Sequence, residues 1–366
     1  MGLTAGIVGL PNVGKSTLFN AITQAGIEAA NYPFATIDPN VGVVEVPDER
    51  LNKLTALVQP KKTISATFEF TDIAGLVRGA SSGEGLGNKF LANIREVDAI
   101  TQVVRCFTDE DIIHVEGSVD PIRDIGTINL ELILADMEQI DRRLRRLAKL
   151  AQSGDKEARF EQSVLVAIKE GFDKELPARA LNLHKNDIEV VKHLQLLTLK
   201  PMLYVANVGE EDLTAAVDNE YVQALKEYAD REDAKIIKVC AKIEEEISQL
   251  EDEEKAMFLE ELGITESGLD QLIRESYDLL GLATYFTAGP QEVRAWTFRT
   301  GMTAPLCAGI IHSDFERGFI RAETVSYEDL MKYGSEQAAR EAGRYRLEGK
   351  QYLVQDGDVM LFRFNV

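Results

Sequence analysis

Apolar positions change their spacing along this chain, and the changes divide it into segments. Up to about residue 110, short apolar or β-branched runs alternate with helix-spaced ones. Residues 4–8 read as a strand, 16–23 as a helix, 41–46 and 67–71 as alternating strands, and 99–107 as an almost continuous apolar strand. The runs at 202–206 and 236–239 repeat that last pattern. Apolar strands separated by helices predict a parallel sheet covered on both faces, hence a doubly wound α/β domain. Such a domain binds its ligand at the carboxyl ends of its strands.

Between 107 and 202 the strand pattern stops. Leu130, Ile133, Met137, Ile140, Leu144, Leu147 and Ala151 alternate three and four apart, the a and d spacing of a heptad. A turn at Ser153-Gly154-Asp155 leads to a second helical stretch carrying Phe160, Val164, Ala167 and Ile168. A third run, 188–199, stops before Pro201, which cannot continue a helix. This predicts an antiparallel, coiled-coil-like helical arm inserted into the α/β domain; the alternative is a bundle packed on the sheet. From about 281 the aromatic and β-branched runs at 296–298 and 359–364, a turn at 356–358 and an amphipathic stretch at 327–333 predict a small α+β domain of three short strands and one helix. The expected boundaries are 1–128 with 200–280 for the α/β domain, 129–199 for the arm and 281–366 for the last domain.

The chain has 366 residues, 45% hydrophobic and 28% charged, a globular profile that excludes collagen-like and wholly disordered readings. No apolar run approaches the roughly 18 residues a membrane helix needs, and the first ten residues lack the basic flank of a signal peptide. Cys106, Cys240 and Cys307 lie far apart without metal-type spacing, so reduced thiols in a cytoplasm are expected. The formal charge of −21 argues against coating nucleic acid through the whole surface. That deficit lies almost wholly before residue 281, since the remainder carries 10 basic and 11 acidic side chains. A basic island, RRLRRLAK at 142–149, places Arg142, Arg143, Arg145, Arg146 and Lys149 off the heptad seam, where they could meet RNA phosphates or simply be solvated. The acidic run 244–261 reads as a solvated helix.

The sharpest chemical signal is Gly9-Leu-Pro-Asn-Val-Gly14-Lys15-Ser16, a G-x-x-x-x-G-K-S motif after an apolar strand and before a helix. Its glycines let backbone N–H groups turn around phosphates, and the helix N-terminus adds a positive dipole end. Asn12, Val13, Gly14, Lys15, Ser16 and Thr17 are therefore the expected phosphate cradle, with Lys15 on the terminal phosphates and Ser16 on Mg²⁺. The strand at 67–71 runs into Asp72-Ile-Ala-Gly75, a D-x-x-G placement in which Asp72 would hold the Mg²⁺ shell and Gly75 would meet the γ-phosphate. Thr36, in the loop between them, would complete the Mg²⁺ site or be a plain loop residue.

The segments GLPNVGKST, YPFATIDPNVG and DIAGLVRGASSGEGLGNKF resemble the Obg-related branch of the translation-factor GTPases, and most closely the YchF/Obg-like ATPase family. The resemblance covers essentially the whole chain. It implies an inserted coiled-coil arm, a C-terminal TGS domain of β-grasp type, ATP as the nucleotide and the ribosome as the partner, met through arm and TGS domain. A cytoplasmic monomer that slowly hydrolyses ATP, faster with a partner, is the expectation. Related GTPases select guanine with N-K-x-D; here Asn207-Val208-Gly209-Glu210 lacks the Lys and has Glu for Asp. A dedicated polar contact discriminates by ~10⁴, so its loss should collapse guanine preference, with Asn207 or nearby backbone meeting adenine. A GTPase of relaxed specificity is the alternative. Cys240-Ala241-Lys242 stands where relatives often have Ser-Ala-Lys. Leu76 follows D-x-x-G and cannot orient water, so hydrolysis would draw on K⁺ held by Asn12 or on His114 reaching back from its polar loop. The alternatives are that Asn12 only shapes its loop and that His114 is a surface residue. A nucleotide-gated binding module with negligible hydrolysis remains the reading from a different class.

Overall fold

The computed structural model describes residues 3–26, 40–74, 86–109 and 111–365. Thr36, Gly75 and Leu76 lie outside them, as do most of the segments 28–42 and 74–90. The strands are β1 Thr4–Val8, β2 Val41–Glu45, β3 Lys62–Ile64, β4 Thr67–Asp72, β5 Ala99–Arg105, β6 Met202–Asn207, β7 Lys235–Val239, β8 Leu282–Ala288, β9 Glu292–Arg299, β10 Phe319–Ser326, β11 Arg346–Glu348 and β12 Asp358–Phe364. The helices that matter here are α1 Lys15–Ala25, α2 Glu49–Val58, α3 Leu86–Glu96, α4 Pro121–Gln152 and α5 Lys156–Phe172.

The chain divides into two compact units, Met1–Val43 with Glu69–Leu272 and Val44–Phe68 with Ile273–Val366. In the first, a six-stranded sheet has the order β2-β4-β1-β5-β6-β7. β1 pairs in parallel with β4 and β5, β5 with β6, and β6 with β7. Every residue of β5 and β6 is buried, which is why both strands read as continuous apolar runs rather than alternating ones. The register sets Ile7 opposite Asp72, so the end of β4 lies beside the point where β1 turns into the Gly-rich loop. The doubly wound expectation holds.

The helical insertion is a hairpin of α4 and α5. Asp120 caps α4 by accepting from Arg123 N, Pro121 occupies its first turn, and Asp155 caps α5 by accepting from Ala158 N. Ile133, Ile140 and Leu147 pack with Leu165, Ile168 and Phe172 in one core. The expected stripe is shifted, however. Leu130 and Phe160 are each 43% exposed and Ala167 is exposed, while Leu165 and Phe172 are buried. The long helix also starts at Pro121, eight residues before the expected boundary of the arm. The run at 188–199 is not one helix but Lys185–Val191 followed by two 3₁₀ turns, Lys192–Leu194 and Leu197–Leu199. The buried Asp136 carboxylate accepts from the backbone N–H of Leu197 and Thr198 and from the Thr198 hydroxyl, an alternative to helical pairing for those donors. Arg143 is also not a free outward charge, because its guanidinium pairs bidentately with Glu161 on α5.

The second unit is a mixed sheet of order β11-β10-β12-β8-β9-β3. β8 pairs antiparallel with β9 and parallel with β12, and β10 pairs antiparallel with β12. Its core gathers Tyr285, Phe298, Phe319 and Phe362 with Cys307 and Ala308 of the helix Ala304–Ile311. Among the described residues after 281 there are five strands and four short helices, against the three strands and one helix expected. β3 adds a sixth strand from far upstream, parallel to β9 with Lys62 opposite Glu292. Residues 44–68 therefore belong with this sheet, where the sequence reading placed them in the nucleotide domain. Arg50 on α2 secures the segment, meeting Asp48 at 2.8 Å and Asp356 at 2.6 Å. No described helix is long and apolar enough to cross a membrane.

Candidate nucleotide-binding site

The Gly-rich turn is shaped by its neighbours. A Cβ on Gly9 would lie 2.8 Å from Val13 Cγ2 and 3.0 Å from the Val103 carbonyl of β5, so no side chain fits. Gly14 has φ of 91°, the left-handed region, and a Cβ there would collide with the Asn207 amide. α1 then starts at Lys15, and Leu18 N donates to Gly14 O at 3.0 Å. The Lys15 ammonium touches the Asp72 carboxylate, joining the phosphate loop to the end of β4. Ser16 is exposed and Thr17 half-buried in the first turn of α1.

The residues expected to meet the base lie at or just after the ends of β6 and β7. Asn207 is buried, its Nδ2 donates to the Val13 carbonyl at 2.8 Å, and its Oδ1 accepts from Ala241 N at 3.0 Å. Both ends of the amide are engaged by protein, so Asn207 ties the phosphate loop to the Cys240–Ala241 loop, which leaves nearby backbone, of the two expected adenine contacts, without that commitment. Val208 is buried, with its N–H on the Val239 carbonyl at 2.9 Å. Glu210 is exposed and opens the short helix Glu210–Leu213. Cys240 is buried before the helix Ala241–Ile247, and desolvation raises its thiol pKa. Asn219, which sequence reasoning missed, donates to the Cys106 carbonyl and to Asp212, each at 2.9 Å.

The third wall is the loop after β5. Asn12 has φ of 63° and donates through Nδ2 to the Ile113 carbonyl at 3.0 Å. His114 is neither a surface residue nor turned toward the phosphate loop. It is 6% exposed, its Nδ1 accepts from Glu116 N at 3.1 Å, and its Nε2 meets the buried Asp124 carboxylate at 2.8 Å. With Nδ1 an acceptor, the ring proton sits on Nε2 and is donated to Asp124. Burial raises the Asp124 pKa, opposed by His114 and Arg123. Asp124 is the His114 partner that sequence missed, as was Arg105, which holds the preceding loop by donating to the Phe107, Asp109 and Ile112 carbonyls; the one available signal was an arginine ending an apolar strand.

No three His, Cys, Asp or Glu side chains converge among the described residues. The Ser16 hydroxyl in the first turn of α1 and the Asp72 carboxylate beside Lys15 are hard oxygen donors, the type that Mg²⁺ takes together with phosphate and water.

Residues 4–135 match a family model described as a 50S ribosome-binding GTPase, and 282–365 match one named YchF-GTPase_C, described as a protein of unknown function. The chain is 68% identical to the Bacillus subtilis protein and 54% identical to the Escherichia coli O157:H7 protein called ribosome-binding ATPase YchF, each over the whole of both chains. The solved structure of the Schizosaccharomyces pombe YchF GTPase superposes with a TM-score of 0.89 at 41% identity, over 99% of this chain and 98% of that one. A GTP-binding protein from Pyrococcus horikoshii shares the fold, with a TM-score of 0.57 at 19% identity over 99% of this chain and all of that one. With such identity along its whole length, and with its phosphate loop and its C-terminal sheet both matched, the chain belongs to the YchF family of P-loop nucleotide-binding proteins.

Proposed function

We propose that this chain is a ribosome-associated switch that binds ATP with Mg²⁺ in preference to GTP and slowly hydrolyses it to ADP and phosphate. The base side carries the reading. Guanine selection needs a carboxylate fork on the ring N–H and amine with a lysine over the base; the segment 207–210 has no lysine, and the Asn207 amide is already held between Val13 and Ala241. Recognition then falls to the backbone of 208–210 and of 240–241 and to the exposed Glu210, groups that suit adenine's amine and ring nitrogen. The relatives are called ATPases and the fission yeast structure a GTPase; this base site sides with ATP.

Lys15, the backbone of 12–17 and Gly75 would take the phosphates, and Ser16, Thr36 and Asp72 would hold Mg²⁺, which neutralises charge on the phosphate oxygens. Asn12, through K⁺, and His114, by orienting water, are the proposed accelerators, and His114 must first leave Asp124. That latch favours a second reading, a nucleotide-gated ribosome-binding module with negligible hydrolysis in isolation.

The arm and a C-terminal domain of TGS, β-grasp type are the proposed ribosomal contacts of a cytoplasmic monomer. The arm supports this with exposed Arg142, Arg145, Arg146 and Lys149, and with a groove of about 450 Å³ where Arg95 on α3 joins Arg142, Arg143 and Arg146. Clustered guanidinium groups, of which Arg143 is already paired with Glu161, suit RNA phosphates in an otherwise acidic chain.

Equilibrium binding of ATP and GTP at fixed Mg²⁺ and K⁺ tests the base reading. ATP should bind at least about tenfold tighter; equal or tighter GTP binding makes the chain an Obg-type GTPase. Turnover measured with and without ribosomes separates the two remaining readings, because absence of hydrolysis in both leaves only the binding module.

A further inference from the structure

Arg105 ends β5 with 1% of its surface exposed, in a strand whose other residues are uncharged. Its partners among the described residues are backbone carbonyls of the loop that follows. Nε donates to Phe107 O at 3.2 Å, Nη1 to Ile112 O at 3.0 Å and Nη2 to Asp109 O at 3.2 Å, and the guanidinium lies 4.6 Å from the centroid of the Phe107 ring. A planar fork can hold three diverging carbonyls at once, whereas an ammonium presents one compact charge. Burying a cation this deeply is costly, and an apolar residue would serve the sheet as well as its neighbours do. The loop so held delivers the Ile113 carbonyl to Asn12 of the phosphate loop and carries His114 at its next position.

We infer that Arg105 is a positioning residue for nucleotide turnover, holding the backbone at Phe107, Asp109 and Ile112 so that the Ile113 carbonyl is presented to Asn12. It touches no substrate and acts only through that loop. The inference rests on the ATP-hydrolysing reading for its kinetic consequence, and on geometry alone for its structural one.

The test uses the full chain with Arg105→Lys and Arg105→Gln. A misplaced loop should lower kcat for ATP about tenfold while KM changes little, since a shift on the order of 1 Å in a positioned group costs up to about 10²-fold. Amide hydrogen exchange should rise across 107–114 with β5 and β6 unchanged. The double variant Arg105→Lys/Asn12→Ala should lose no more kcat than the worse single one, because both changes break one chain of contacts. Multiplying losses, or wild-type exchange in the loop, overturns the proposal. If the wild-type chain hydrolyses nothing, the ATPase reading fails and the exchange measurement still decides the role of Arg105. Should Arg105→Lys not fold, Asn12→Ala removes only the group to which the carbonyl is presented: kcat should fall while exchange across 111–114 stays as in the wild type, since the Arg105 bonds remain, and an unchanged kcat or a loosened loop overturns the inference.

Discussion

Asn207 shows how far a side chain's task depends on partners that only folding supplies. Its position at the end of β6 is legible from the apolar run before it, but its partners Val13 and Ala241 lie 194 and 34 positions away. Only folding brings them together. Removing the amide with Asn207→Ala leaves a buried carbonyl and a buried N–H without partners, at about 1–3 kcal/mol each. ATP and GTP affinities should therefore fall together, by at least about tenfold, with their ratio unchanged; equilibrium binding of both nucleotides checks this, and a change in the ratio would mean the amide does read the base. Gly14 is the converse case, since the motif alone demands a glycine and the structure supplies two reasons, a left-handed φ and the Asn207 amide where a Cβ would sit.

At the scale of elements, the arm separates periodicity from phase. The heptad on α4 is read correctly over most of its length, with Ile133, Ile140 and Leu147 buried. On α5 both Phe160 and Leu165 are apolar, and pattern alone cannot say which faces α4. Packing chooses the side of Leu165 and leaves Phe160 43% exposed, while Glu161 lies against Arg143. Leu165→Ala should destabilise the chain by about 2–5 kcal/mol in chemical denaturation followed by helical signal, because it opens a cavity in the arm's core. Phe160→Ala should stay within about 0.5 kcal/mol. Equal costs would refute the assigned faces. The missed strands of the second unit have a related cause: β10 and β11 carry charged residues along a mixed sheet, so neither an alternating nor a continuous apolar run announces them.

For the whole molecule, three thiols report on how firmly the fold is closed. Cys106, Cys240 and Cys307 are all buried and unpaired. Burial pushes Cys106 and Cys307 up to about 12 and raises Cys240 as well. Alkylation at pH 8 should label none of them in the native chain and all three after denaturation, as mass spectrometry would read. The sign of the pH effect follows. In the unfolded chain these thiols ionise near the ordinary 9.0, so above that pH the unfolded state binds fewer protons than the folded one and stability falls as pH rises toward 12. The urea midpoint should be lower at pH 10 than at pH 8. What the sequence determined by itself are the features made of consecutive backbone: the phosphate loop between a strand and a helix, the parallel apolar strands, and the long heptad helix. Their physics is local, carried by glycine torsions, helix dipoles and side-chain periodicity. Tertiary structure decided the rest. It drew residues 44–68 into the C-terminal sheet through β3 and β9, locked His114 on Asp124, and set Arg105 among the carbonyls of its loop. Each of these depends on which side chain or strand closes a distance that chain connectivity leaves open, and the burial that fixes the choice exists only once the elements have packed.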